Sequence, residues 1–188
     1  KPGTALYDLG CSLGATTLAM RRQLGDSDCG IVAVDNSSAM IARCRELIDA
    51  DDSPVPVTLR EADILDTAIE NASMVVLNYT LQFVDPADRD PLIRRIHAGM
   101  RPRGVLVLSE KVVDENPEME QLLVDLHHEH KRRNDYSALE ISRKRAALEN
   151  VLIPETVEQH RDRLLRAGFR SAAVWLRYFN FVSIIAIR

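Results

Sequence analysis

The stretch YDLGCSLGATT, Tyr7 to Thr17, puts Asp8 beside a turn built on Gly10, Cys11, Ser12 and Gly14. Its spacing is that of a nucleotide-binding loop with one change. A dinucleotide fingerprint needs a second close-approach glycine so that backbone can reach a pyrophosphate, and Ser12 occupies that place. Asp8 at the strand end would also set negative charge against a polyanion. A Walker loop ends in Gly-Lys-Ser/Thr, which this stretch does not. A ligand that lacks phosphate and carries a cationic amine suits the turn better, because a nearby carboxylate favours an ammonium. The competing reading is a plain strand-to-helix turn.

Three further strand ends carry polar side chains. Asp35 closes GIVAVD, about twenty residues past the loop, where an acidic side chain can accept both hydroxyls of a ribose. Its bland alternative is an N-cap for the next helix, which Ser37 could supply instead. Asp63 can accept from an adenine amino group while the backbone of Ile64 reads the ring edge; the alternative is a turn aspartate. Asn78 interrupts the apolar run VVLNYTLQF, and a buried amide there must find partners, either a ligand or a neighbouring loop. Polar residues at four successive strand ends point together to a site for S-adenosylmethionine.

Farther along, LEISRKRAALENVL is strongly helical, with no Gly or Pro from Leu139 to Leu152. Ile141, Leu148 and Leu152 form one apolar stripe, and Arg145 falls on it while Arg143 and Lys144 fall off. A guanidinium on a buried face needs an anion. Its planar fork suits a carboxylate on a substrate or product. A structural salt bridge, or a packed stem with its head in water, is the alternative. In HHEHK, His127 and His128 diverge on a helix; His127 and His130 can share a face, but no third ligand has metal spacing, so a solvated helix face is expected. Cys11 has no evident base beside it and reads as a small pocket-lining residue rather than a nucleophile.

The elements that must position these groups alternate. ALYDLG, GIVAVD, VTLREAD, ASMVVLNY and GVLVLSE read as strands. Ala15–Leu24, the NSSAMIARCRELI stretch, Ala87–Met100 and Val151–Gly168 read as helices. Such alternation gives βαβ units and a parallel sheet whose ligands lie at the carboxyl strand ends. AAVWLRYF and FVSIIAIR, joined tightly around Asn180, predict an antiparallel hairpin on the sheet edge. Residues 112–150 are too long for a simple crossover and read as a helical insertion over the strand ends.

At 188 residues the chain reads as a single domain, residues 1–188. It opens at Lys1-Pro2 without a Met, which reads as a fragment lacking its native N-terminal segment, so a missing targeting signal proves little. No apolar run suits a membrane span. The net charge of −4 argues against a broad phosphate-gripping face, and direct nucleic-acid binding is not expected, although Lys131–Arg133 and Arg143–Arg145 are locally basic. Three scattered cysteines, Cys11, Cys29 and Cys44, with no C-x-x-C, suggest a reducing cytoplasmic compartment without disulfides or zinc.

With these residues in view, the chain resembles the carboxy-S-adenosylmethionine synthases, a bacterial branch of the class I methyltransferase superfamily. The resemblance runs from about Pro2 to Arg188 and rests on YDLGCSLGA, DNSSAMI, ENASMVVLNYTLQF, GVLVLSEK, YSALEISRKRAALENVL and FNF. The first is generic to methyltransferases; the third and fifth together are specific. It implies a Rossmann-like α/β fold, with a seven-stranded, mostly parallel sheet, an antiparallel edge hairpin and a helical insertion. It also implies a transferase that turns S-adenosylmethionine and prephenate into carboxy-S-adenosylmethionine and phenylpyruvate. The product would feed a tRNA uridine carboxymethyltransferase acting at the wobble position. Implied ligand contacts are Gly10, Cys11, Ser12, Asp35, Asn36, Asp63, Ile64 and Asn78. Arg145 would pair with the added carboxylate as the catalytic residue, a further family tyrosine would precede this sequence, and the assembly would be a homodimer without metal. The rival readings are a conventional methyltransferase on a small molecule or tRNA, and a non-catalytic S-adenosylmethionine-binding module.

Overall fold

A computed structural model describes residues 1–25, 27–134 and 151–188. In chain order the elements are β1 (Thr4–Leu9), α1 (Ala15–Leu24), β2 (Cys29–Asp35), α2 (Ser38–Asp49), β3 (Val57–Glu61) and β4 (Ala72–Asn78). A 3-10 turn at Leu81–Phe83 leads to α3 (Pro86–Gly99), β5 (Met100–Lys111), α4 (Pro117–Arg133), α5 (Val157–Arg166), β6 (Ser171–Tyr178) and β7 (Phe181–Ile187). The strands form one sheet in the order β3-β2-β1-β4-β5-β7-β6. The β1–β2, β2–β3, β1–β4 and β4–β5 pairings are parallel, and β7 runs antiparallel to both β5 and β6. Strand order therefore reverses between β1 and β4, which opens a crevice at their carboxyl ends.

Side chains along β1 alternate between two packed layers. Tyr7 and Leu9 face a core shared with Leu92, Ile93 and Ile96 of α3 and Leu164 of α5. Leu6 packs with Met20 of α1 and Ile31, and farther along the same face Ala33 meets Ile41, Cys44 and Ile48 of α2. Central strands buried on both faces explain their near-continuous apolar sequences.

The expected strands and hairpin are present, with informative differences. The hairpin's second strand, β7, is the inner one, because its apolar face extends the β5 surface in antiparallel register from Val105↔Ile187 to Lys111↔Phe181. α3 begins at Pro86, where proline loses no intrahelical bond, and Asp85 caps it by accepting from the Ala87 amide at 2.9 Å. The last helix starts at Val157 rather than Val151. Pro154 disfavours helix at Ile153 before it, while Thr156 and Gln159 form a reciprocal capping box. The preceding residues run extended instead: Glu155 bridges Val112, and the Ile153 amide donates to the Gln82 carbonyl at 3.0 Å. No helix among the described residues is long and apolar enough to cross a membrane.

Candidate active site

A cleft of about 580 Å³ opens at the strand-order reversal. Its floor brings together Gly10 and Ser12 after β1, Asp35 and Asn36 at β2, Asp63 and Ile64 after β3, and Asn78 at the end of β4. The turn after β1 is fixed from β2: the Gly10 and Cys11 amides both donate to the Val34 carbonyl, at 2.8 and 2.9 Å. Gly10 adopts φ 83°, and a Cβ there would collide with the Thr80 side chain. Only glycine meets both conditions. Asp35 accepts from the Ser12 amide through one oxygen and from the Ser37 amide through the other, each at 2.9 Å. Those bonds leave lone pairs on both oxygens for ligand hydroxyls. The N-cap duty falls to Ser37, whose hydroxyl accepts from the Met40 amide.

Asp63 accepts from the Leu65 amide at 2.8 Å and stays at the cleft surface, while Ile64 packs into the core edge. Asn78 corrects an expectation. As the last residue of β4 it is exposed rather than buried, and its amide donates to Thr16 Oγ1 at 3.2 Å. Asp8 does not border the cleft. It lies in the α1 layer, 1 % exposed, accepting from Thr17 Oγ1 at 2.6 Å, and burial pushes its carboxyl up to about 6. It is therefore poorly placed to hold a ligand ammonium. The Cys11 side chain likewise turns from the cleft into the packing around Ile41 and Cys44. Burial raises its thiol far above the ordinary range, which argues against a nucleophile, and its place in that packing takes the thiol off the cleft lining. Arg145, with Ile141 and Leu148 of its stripe, lies outside the described residues.

The opposite wall comes from the segment after β4, to which the sequence reading gave no ligand contact: Tyr79, Thr80, Phe83, Val84, Asp85 and Asp88. Its shape is imposed from beneath by Glu110 at the end of β5. That carboxylate is fully buried and accepts from the Leu81 amide at 2.8 Å and the Gln82 amide at 3.1 Å. Burial raises its pKa to about 8 despite those donors and nearby Arg89. The strand-end rule that singled out Asp35 would also have flagged Glu110. Arg89 adds a second brace: its buried guanidinium donates to the Val84 carbonyl at 2.9 Å and the Ile153 carbonyl at 2.8 Å, and pairs with Glu155 at 2.8 Å.

Asp35, Asp63, Asp85 and Asp88 all border the cleft, and no Lys, Arg or His does so among the described residues. An acidic, glycine-floored cleft suits a ligand with net positive charge and hydroxyl and amino donors. Beyond Tyr79 the surface changes character. Phe181 meets the Tyr79 ring edge-on at 5.7 Å, and His127 of α4 stands against Phe181 at 5.0 Å. His127 is thus half-buried rather than on a solvated face; burial and the nearby Lys131, His128 and Lys111 lower it to about 4. His130 packs on Tyr178, whose hydroxyl lies 3.2 Å from its Nδ1. Among the described residues no three His, Cys, Asp or Glu side chains gather as metal ligands would.

Comparison with known proteins narrows the ligand. Residues 6–104 match the methyltransferase domain family. The chain is 55% identical over its whole length to the carboxy-S-adenosyl-L-methionine synthase of Aliivibrio fischeri, covering 78% of that protein. It is 57% identical over 99% of its length to the synthase of Geobacter metallireducens, covering 77% of that relative. Among solved structures it is similar to a cyclopropane synthase from Mycobacterium tuberculosis (TM-score 0.65, 23% identity, 93% of this chain and 58% of that one). It is also similar to human N-acetylserotonin methyltransferase in complex with SAM (TM-score 0.66, 17% identity, 98% and 47% coverage). These structural likenesses establish the class I methyltransferase fold.

Proposed function

The chain belongs to the carboxy-S-adenosyl-L-methionine synthase family, and from that premise we propose that it carboxylates the methyl carbon of S-adenosylmethionine with prephenate as the source of carbon dioxide. The observation that carries the site is the acidic cleft in which Asp35 and Asn78, each closing a strand, and Asp63, just past a third, gather around the Gly10 turn. In this reading Asp35, with Asn36 beside it, receives the ribose hydroxyls. Asp63 and the Ile64 backbone read the adenine, and Gly10, Cys11 and Ser12 supply close-approach backbone to the methionine end, near Asn78.

The reaction balances without a side-chain base. Prephenate loses carbon dioxide and hydroxide as its ring aromatises to phenylpyruvate. The hydroxide takes a proton from the sulfonium methyl and becomes water. The ylide carbon so formed adds to carbon dioxide, giving a carboxymethyl sulfonium. The protein's work is to hold two reactants in contact, exclude water and neutralise the new carboxylate. Arg145 is proposed for that last role. The product would supply a tRNA uridine carboxymethyltransferase in the cytoplasm.

A homodimer is part of the proposal. Trp175, Leu176 and Tyr178 are exposed on edge strand β6, and Met119, Leu122 and Leu126 form an exposed apolar stripe on α4. Faces of this kind support burial against a second copy. Mass spectrometry of ligand released on denaturation tests the function. A species heavier than S-adenosylmethionine by one carbon dioxide is expected. Finding only S-adenosylmethionine or S-adenosylhomocysteine would favour a conventional methyltransferase.

A further inference from the structure

The acidic cleft poses a problem for the second reactant, because an anion gains nothing from a wall of carboxylates. A different surface adjoins it. Tyr79 borders the cleft and is held over β5 by its amide, which donates to the Ser109 carbonyl at 2.7 Å. Its φ of 59° is uncommon for a bulky residue, and such backbone persists where surrounding structure enforces it. Here the Glu110-bound turn that follows enforces it. That conformation leaves Tyr79 42% exposed, with its ring in edge contact with Phe181. His127 continues the aromatic row at 5.0 Å from Phe181 and 5.8 Å from Phe179. Lys111 is the register partner of Phe181 and lies close enough to His127 to disfavour its protonation. Among the described residues no carboxylate forms an ion pair with Lys111.

We propose that the row Tyr79–Phe181–His127, with Lys111 as its cation, is the docking shelf for the ring-bearing, doubly anionic co-substrate. The assignment rests on the synthase reading above and adds the place of the second reactant. Aromatic edges pack against an unsaturated six-membered ring. An ammonium at the shelf's side fixes one carboxylate, and the neighbouring acidic cleft holds the sulfonium reactant. The charge difference sorts the two ligands into adjoining places and keeps each out of the other's. Neutral His127 contributes ring surface without adding charge.

The test is equilibrium binding of prephenate to S-adenosylmethionine-loaded protein, paired with steady-state kinetics. Lys111→Met should weaken prephenate binding and raise its KM by roughly tenfold to a hundredfold, the loss of a charge-assisted bond. Affinity for S-adenosylmethionine should stay unchanged. Lys111→Arg should restore most of the loss, and Phe181→Leu should raise the prephenate KM several-fold. Unchanged prephenate affinity in Lys111→Met overturns the shelf, as does a loss of S-adenosylmethionine affinity of the same size. Wild-type protein that binds prephenate through Lys111 yet forms no carboxylated product refutes the synthase reading and keeps the shelf. Wild-type protein that binds none refutes the shelf directly.

Discussion

Two sets of acidic side chains in this molecule do opposite work. In the cleft, Asp35 and Asp63 accept from neighbouring backbone amides and keep oxygen lone pairs facing solvent. Between α3 and α5, Glu155 is filled on every side. Arg163 donates to both its oxygens at 2.6 Å, Arg89 pairs with it at 2.8 Å, and Arg163 also reaches Asp90 at 2.6 Å. Burial would raise the Glu155 carboxyl, but the two guanidinium groups outweigh it and hold it down to about 2. A carboxylate whose valences are spent internally fastens elements together. One that keeps valences open at a strand end is equipped for a ligand.

The largest effect should come from the filled set. Arg163→Met leaves Glu155 and Asp90 without their fork and should cost about 3–5 kcal/mol of stability. Urea unfolding would measure that loss, with S-adenosylmethionine affinity of the folded protein nearly unchanged. Asp35→Asn should reverse the pattern. It should weaken S-adenosylmethionine binding by about 2–3 kcal/mol, while the unfolding midpoint moves little. Comparable losses of stability and affinity in both variants would erase the distinction drawn here.

Glu110 sharpens the comparison because it is filled yet shapes the cleft. Glu110→Gln keeps one acceptor and strands one buried amide, so a loss of about 1–3 kcal/mol is expected, with a weaker ligand as a secondary effect. The smallest expected signal is in pH. The Glu110 carboxyl is raised in the fold to about 8, so its contribution is fullest below about 4.5 and is lost as pH climbs to 8. Glu155, depressed to about 2, and His160, lowered by burial to about 4, tilt the curve the other way. Their contributions are lost on acidification, from about 6.5 down for His160 and from about 4.5 down for Glu155. Urea midpoints across pH for Glu110→Gln and Glu155→Gln should therefore diverge from wild type at opposite ends.

Much of this was legible along the chain. Short apolar runs identified the strands, and helical patterns with their caps identified most helices. The glycine turn, Asp35, Asp63-Ile64 and Asn78 each sit where a short apolar run stops, and a parallel sheet collects such stops on one edge. These are local signals, carried by neighbours in sequence. Three side chains changed meaning once the chain folded. Asp8 stands two residues before Gly10, but strand alternation turns it into the α1 layer. Cys11 packs beneath the turn with Cys44. His127 leaves solvent because the β6–β7 hairpin returns beneath α4.

What sequence determined, then, is which residues end strands and so which can meet at one edge. The direction each side chain points, and the company it keeps, was decided by tertiary packing. Arg89 carries no local mark of its role, since its partners Gln82, Val84, Ile153 and Glu155 come from two separate stretches of chain. The Tyr79–Phe181–His127 row joins three segments in the same way. The physical reason is that desolvation and pairing depend on distance in space, and only the closed sheet sets those distances.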